Sequence, residues 1–227
     1  MGLPVADEAL FTHNSKGFLE LLSWVAIGAR STEDQEHRIH ASGVSCPVGM
    51  KNPTSGSVQV GVNSVIAAQT GRTAVFDGYQ VQTSGNKFAH LVLRGGIRGQ
   101  NYHLHDLLKA RDKMIQNKVK NPAIIVDACH DNCLINNVKD YNLQVDVIRE
   151  VIGNLENRPE LRKTVKGFMI ESFIKDGKQK IEELTPETVE KGGLSVTDPC
   201  LGWKKTENLL VELDKKFRKS KSKNIID

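Results

Sequence analysis

An α/β barrel is the fold this sequence predicts, and three observations carry the prediction. Short apolar runs alternate along the chain with segments of helical period, the pattern of repeated β–α units. Residues able to do chemistry stand at or just past the ends of several of those runs, where a parallel barrel gathers its site. No internal repeat, low-complexity segment or linker divides the 227 residues, a length that fits one domain.

Taken in order, the predicted strands are Leu21 to Ile27, Pro47 to Lys51, Thr73 to Phe76, Ala89 to Arg94, Ala123 to Cys129 and Val165 to Glu171. Thr32 with Gln35 three residues later reads as a capping box opening a helix after Arg30. Val58, Val62, Val65 and Ile66 share one helical face, and Leu143, Val147, Val151 and Leu155 share another. The last helix carries Leu209, Leu210, Leu213 and Phe217 on its apolar side. Pro186 to Gly193 is rich in turn residues and reads as a surface loop. Residues 218–227 form a basic tail, expected to fray from a solvated helix end.

Composition excludes several classes. Apolar residues make up 39% and charged ones 26%, which suits a globular chain with a core. Aromatics are only 5%, so no stacking platform for single-stranded nucleic acid stands out. The net charge of +4 is mild and partly sits in the tail, so no nucleic-acid partner is expected. The longest apolar runs, such as Ala123-Ile124-Ile125-Val126, are far too short to span a membrane. The amino terminus has acids and no basic stretch before an apolar one, so it is not a signal peptide. The cytoplasm is the expected location, with Cys46, Cys129, Cys133 and Cys200 as free thiols.

Two sets of residues could do chemistry. Arg30, Lys51 and Arg94 each end a predicted strand beside small residues (Gly28-Ala29, Gly49 and Asn52, Gly95-Gly96). Small neighbours let a ligand approach the backbone while the cations neutralise phosphate or carboxylate oxygens. Pairing with local carboxylates is the ordinary alternative for each cation. The second set, His130, Glu171 and Asp198, offers one imidazole and two carboxylates, a donor mix for manganese, iron(II) or zinc. A satisfied structural histidine is the ordinary alternative there.

Longer motifs add a resemblance. Ser23-Trp24-Val25-Ala26-Ile27-Gly28-Ala29-Arg30-Ser31-Thr32, Pro47-Val48-Gly49-Met50-Lys51-Asn52-Pro53 and His90-Leu91-Val92-Leu93-Arg94-Gly95-Gly96 stand in order along the chain. Gly167-Phe168-Met169-Ile170-Glu171-Ser172 and Ser195-Val196-Thr197-Asp198-Pro199-Cys200-Leu201-Gly202-Trp203 follow. Together they resemble the type I 3-deoxy-7-phosphoheptulonate synthases over about the last two-thirds of that family's aldolase-type barrel. The resemblance implies condensation of phosphoenolpyruvate with erythrose 4-phosphate and water, the first step of the shikimate pathway. It implies that Arg30, Lys51 and Arg94 hold phosphoenolpyruvate, that Glu8 lines the same pocket, and that His130, Glu171 and Asp198 are three of four metal ligands. Lys51 and His130 are the expected catalytic residues, and the divalent metal is expected to act as a Lewis acid.

The chain also departs from that family. The segment that precedes Gly2-Leu3-Pro4 in family members is absent. It carries the first two barrel strands, the fourth metal ligand (a cysteine), a second arginine and lysine for phosphoenolpyruvate, and the erythrose 4-phosphate loop. The expectation is a barrel domain truncated at its amino terminus, with about six of eight strands. Open strand edges invite pairing with another chain, so a homo-oligomer or a complementing amino-terminal chain is the expected partner. A non-catalytic remnant that keeps the phosphate cradle and part of the metal site is the alternative. After His130 the family has Ala-Asn-Ser and then a lysine. Here Asp131-Asn132-Cys133 leads into an insertion ending at Lys139, which is either the displaced family lysine or loop drift. Cys129 and Cys133 could lend a thiolate to a metal.

Overall fold

Val, Ile, Leu and Ala dominate runs of only four or five residues, too short for helices and suited to a parallel sheet covered on both faces. The computed structural model describes residues 2–13, 17–76, 78–136 and 138–223. In chain order the elements begin with β1 (Ala6–Glu8), β2 (Trp24–Ile27), α1 (Gln35–Gly43), β3 (Val48–Lys51) and α2 (Val58–Gln69). A hairpin of β4 (Thr73–Phe76) and β5 (Tyr79–Gln82) leads to β6 (His90–Leu93), α3 (Leu104–Gln116) and β7 (Ile124–Asp127). Next come a 3₁₀ turn over His130–Cys133, a small hairpin of β8 (Leu134–Ile135) and β9 (Val138–Lys139), α4 (Leu143–Glu156) and α5 (Pro159–Arg162). The chain continues through β10 (Val165–Met169), β11 (Ser172–Phe173), β12 (Leu201–Gly202) and α6 (Trp203–Lys223).

The main sheet is wholly parallel, in the order β1-β2-β3-β6-β7-β10. That order never reverses. Right-handed crossovers taken in unbroken order put the connecting helices on one face, whereas a reversal would place helices on both. The helices accordingly touch one another in succession: α1 against α2, α2 against α3, α3 against α5, α5 against α4. Pairing runs Val25 with Val48, Gly49 with His90, Leu91 with Ile124 and Val126 with Phe168. Ile27, Met50, Leu91, Leu107, Met114, Ile124 and Ile148 are fully buried in one continuous core. On β3, Gly49 has no space for a side chain, because a Cβ there would meet the Trp24 ring and Val92.

Several expectations are revised. Thr73–Phe76 forms a strand, but it pairs antiparallel with β5 outside the main sheet. β3 pairs directly with β6 where that strand was expected. The sixth strand of the sheet is Ala6–Glu8 at its edge beside β2, a segment with too little apolar character to read as a strand. The first predicted strand begins only at Trp24, since Leu19–Leu21 is a 3₁₀ turn. Helix α1 is capped by Asp34, whose carboxylate accepts from the His37 amide at 3.0 Å; Thr32 lies buried upstream of it. Val58, Val62 and Val65 are buried as their spacing predicts, as are Val147 and Val151. On α6 Leu209 is buried, but Leu210 and Phe217 are half exposed. The helix continues to Lys223, so the basic tail begins as its last turns, and residues 224–227 lie outside the described residues. Among the described residues no helix is long and apolar enough to cross a membrane.

Candidate functional site

Glu8 closes β1, Lys51 closes β3 and Asp127 closes β7. Arg94 follows β6, His130 follows β7 and Glu171 follows β10. Parallel strands in one sheet present these ends together, and Asp198 arrives in the segment leading to β12. One oxygen or nitrogen each from His130, Glu171 and Asp198 lies within 4.8 Å of the other two. His130 Nε2 is 3.8 Å from Glu171 Oε1 and 3.9 Å from Asp198 Oδ2. The other ring nitrogen, Nδ1, is 2.9 Å from Asp127 Oδ2. That contact is close, but neither buried atom makes a hydrogen bond of good geometry. A carboxylate behind an imidazole is the usual support for a histidine ligand, and here it leaves Nε2 facing Glu171 and Asp198, where it would point at a bound ion. His130 takes a φ of +54°, a left-handed conformation that costs energy in a residue with a Cβ.

The charges around this cluster are uneven. Among the described residues the ion-pair contacts of Glu8, Asp127, Glu171 and Asp198 are with Lys51, Lys139 and His130. Lys178 acts on Asp198 from farther off. The carboxylates thus outnumber the lysines, and a divalent ion would offset the excess. Burial raises the Glu171 carboxyl, helped by Asp127 and Asp198 and opposed by His130. Burial also pushes Asp198 up, but the Lys139 ammonium, 2.5 Å from Oδ1, outweighs it and holds Asp198 below the usual range. Asp127 follows the same rule: His130 and Lys51 beside it outweigh full burial and hold it down. The donor set and its unmet charge fit a divalent metal.

The cations are placed differently. Lys51 is buried, with Nζ 3.4 Å from both Glu8 Oε2 and Asp127 Oδ2. Arg94 is 7% exposed and its Nη1 sits 2.5 Å from Asp131 Oδ2, while Nε is buried with no hydrogen-bond partner. Arg30 lies exposed in the turn after β2 and makes no ion pair among the described residues. Glu8 reaches over β2, where a side chain at Gly28 would collide with its carboxylate. The thiols of Cys129 and Cys133 face each other at 3.8 Å in the interior. They stand outside the 4.8 Å cluster, and all four cysteines are free.

The sequence does not assign the roles of the residues that hold these groups in place. Asp127 bridges the two sets; its signal was an acid ending the apolar run Ile124-Ile125-Val126, three residues before His130. Asn52 accepts from the Arg94 amide at 2.9 Å and donates to the Gly95 carbonyl at 2.8 Å. Asn101 accepts from the Gly95 amide, and Asn132 donates to the carbonyls of Leu93 and Asp127. From α4, the fully buried Gln144 donates to the Glu171 carbonyl and accepts from the Glu171 amide. Asn52 drew notice only as a small neighbour of Lys51 and within a motif; isolated amides carry no local pattern that would assign them these bonds.

Residues 1–211 match the DAHP synthetase I family. The chain belongs to that family. It is 38% identical over 223 residues to the Trp-sensitive phospho-2-dehydro-3-deoxyheptonate aldolase of Enterobacter agglomerans, covering 94% of this chain and 59% of the relative. Identity to the Tyr-sensitive enzyme of Salmonella typhimurium is 39% over 225 residues, covering 95% and 59%. The solved phospho-2-dehydro-3-deoxyheptonate aldolase of Francisella tularensis SCHU S4 superposes with a TM-score of 0.82 at 32% identity, covering 92% of this chain and 59% of that one. The six-stranded sheet is therefore an incomplete α/β barrel of the DAHP synthetase I type, and the chain spans somewhat over half the length of these relatives.

Proposed function

We propose that this chain supplies the phosphoenolpyruvate- and metal-binding part of a 3-deoxy-7-phosphoheptulonate synthase. One observation carries the reading: His130 is backed by Asp127 on one nitrogen and faces Glu171 and Asp198 with the other, beside the buried Lys51. On this reading the three residues hold manganese, iron(II) or zinc, which supplies Lewis acidity toward the aldehyde oxygen of erythrose 4-phosphate. Lys51, steadied by Glu8 and Asp127, presents its ammonium to the phosphate and carboxylate of phosphoenolpyruvate. Arg94 and Arg30 complete the neutralisation of that substrate, a task of positioning and charge complementarity. Carbon–carbon bond formation, addition of water and release of phosphate then yield the seven-carbon sugar acid phosphate.

Calorimetric titration of manganese and of phosphoenolpyruvate into the chain tests this. Both should bind, and Arg94→Ala should weaken phosphoenolpyruvate by roughly tenfold or more, the scale of one charge-assisted contact. Identical heats for wild type and Arg94→Ala would sink the substrate assignment.

A second reading, a partner subunit or non-catalytic remnant, is favoured by the ends of the sheet. β1 and β10 are its terminal strands and do not pair with each other, and a groove lined by Ile152, Leu155, Phe168 and Phe217 runs beside β10. A chain carrying the complementary strands fits those edges, or a second copy of this chain. Product formation by the isolated chain should be slight and should rise on mixing with such a polypeptide. Full turnover by the chain alone would discard the partner reading.

A further inference from the structure

We propose that Asp131 is an internal anion that occupies the Arg94 guanidinium and so sets how tightly this site takes a phosphate- or carboxylate-bearing ligand. The inference rests on Arg94 being an anion-binding residue, as above.

Four features place Asp131 in that role. Its Oδ2 lies 2.5 Å from Arg94 Nη1, at the short end of charge-assisted contacts, so the guanidinium is already matched to a carboxylate. Its backbone amide donates to the Arg94 carbonyl at 3.2 Å. Gly95, at a φ of +73°, leaves no room for a Cβ against the Asp131 backbone, so the acid is seated on the strand end rather than carried on a swinging loop. Arg94 Nε is buried without a partner, so the single Asp131 oxygen on Nη1 satisfies only part of the guanidinium fork.

Nothing else in the site calls for this pairing. Asn52 secures the Arg94 backbone amide, and Asn132 secures the carbonyls of Leu93 and Asp127, so the turn is held without the Asp131 carboxylate. The acid also stands where the resemblance places an alanine. A ligand oxyanion must displace Asp131, at the cost of the existing ion pair, or share Arg94 with it, at the cost of like-charge repulsion, and either course lowers affinity.

Removing this acid should therefore strengthen binding. With inorganic phosphate as the probe, Asp131→Asn, which keeps the shape and loses the charge, should bind about tenfold tighter than wild type, the scale of one charge-assisted contact. Phosphoenolpyruvate should shift in the same direction. Asp131→Ser is the second variant, and thermal midpoints establish that both fold. In an Arg94→Lys background, where the fork is lost and the charge kept, the gain from Asp131→Asn should shrink markedly. An undiminished gain there would mean the acid acts by general field and overturns direct occupancy. Phosphate heats that Arg94→Ala removes but Asp131→Asn leaves unchanged overturn the role of Asp131 alone. Heats indifferent to Arg94→Ala, or absent in every variant, overturn the anion assignment of Arg94 along with it.

Discussion

Around His130 the side chains converge, while around Arg94 they are drawn to acids of the chain itself. His130, Glu171 and Asp198 have short side chains, so the backbone at the ends of β7 and β10 and before β12 decides where their donor atoms lie. Lys51 and Arg94 have long side chains whose charged ends settle against the nearest carboxylates, Glu8, Asp127 and Asp131. Arg30, with the same side chain as Arg94, stands exposed. A metal site can thus be assembled in advance by strand geometry, whereas an anion cradle of lysine and arginine takes its final form when a ligand competes for the cations. The two regions share Asp127, which touches both Lys51 and His130.

The strongest challenge to this contrast is His130→Ala. It should reduce manganese affinity by at least about a hundredfold in calorimetry, because two carboxylates alone make a poor transition-metal site. Retained affinity would show that the convergence is incidental. Asp127→Ala strikes the shared residue. Lys51 is 6% exposed and Asp127 is fully buried, and stripping one partner from a buried pair costs about 3–5 kcal/mol. Urea unfolding should show a loss toward the lower end, since Glu8 still faces Lys51, and manganese affinity should fall about 10–100-fold through the lost support of His130. Unchanged unfolding would mean that the two regions are not coupled.

A smaller effect separates the two oxygens of Asp198. Lys139 takes Oδ1 while Oδ2 faces His130, so the lysine steadies the ligand without blocking it. Lys139→Met should weaken manganese about tenfold, with partial recovery in Lys139→Arg. Tighter binding in Lys139→Met would instead make the lysine a competitor of the ion.

The smallest effect concerns Glu171. Its folded carboxyl is raised above the usual carboxylate range by burial, so the metal-free folded state holds the proton more tightly than the unfolded chain. That contribution is present at low pH and is lost as pH rises through the raised value. Glu171→Gln should therefore raise the metal-free stability at pH 7 by less than about 1 kcal/mol, given the partial exposure of the group. The advantage should vanish near pH 4 and on adding manganese to wild type. A gain that persists at pH 4 would assign it to packing rather than charge.

Much of the architecture was legible because it rests on local pattern. Short apolar runs at regular intervals predicted β2, β3, β6, β7 and β10, and helical spacing predicted the buried faces of α2 and α4. The error over Thr73–Phe76 has a physical source: an apolar β-branched run is equally good in a hairpin, and only its pairing decides. Ala6–Glu8 escaped notice because three residues with two acids carry no strand signal. They become a strand by lying beside β2, where Ala6 pairs with Trp24 and Glu8 with Ala26.

Residue identity alone determined which groups could act. Arg30, Lys51, Arg94, His130, Glu171 and Asp198 stand out because their types and motif settings are properties of the chain, independent of how it is folded. What they do to one another was decided by tertiary structure. Lys51 and Asp127 are far apart in sequence, as are Lys139 and Asp198, and a pairing of that kind depends on which strand ends the sheet sets side by side. The same holds for Asp131 on Arg94 and for Gln144 bracketing Glu171. An ion pair needs its atoms within about 4 Å, and no sequence pattern encodes a separation of that size between residues brought together only by the packing of the whole sheet.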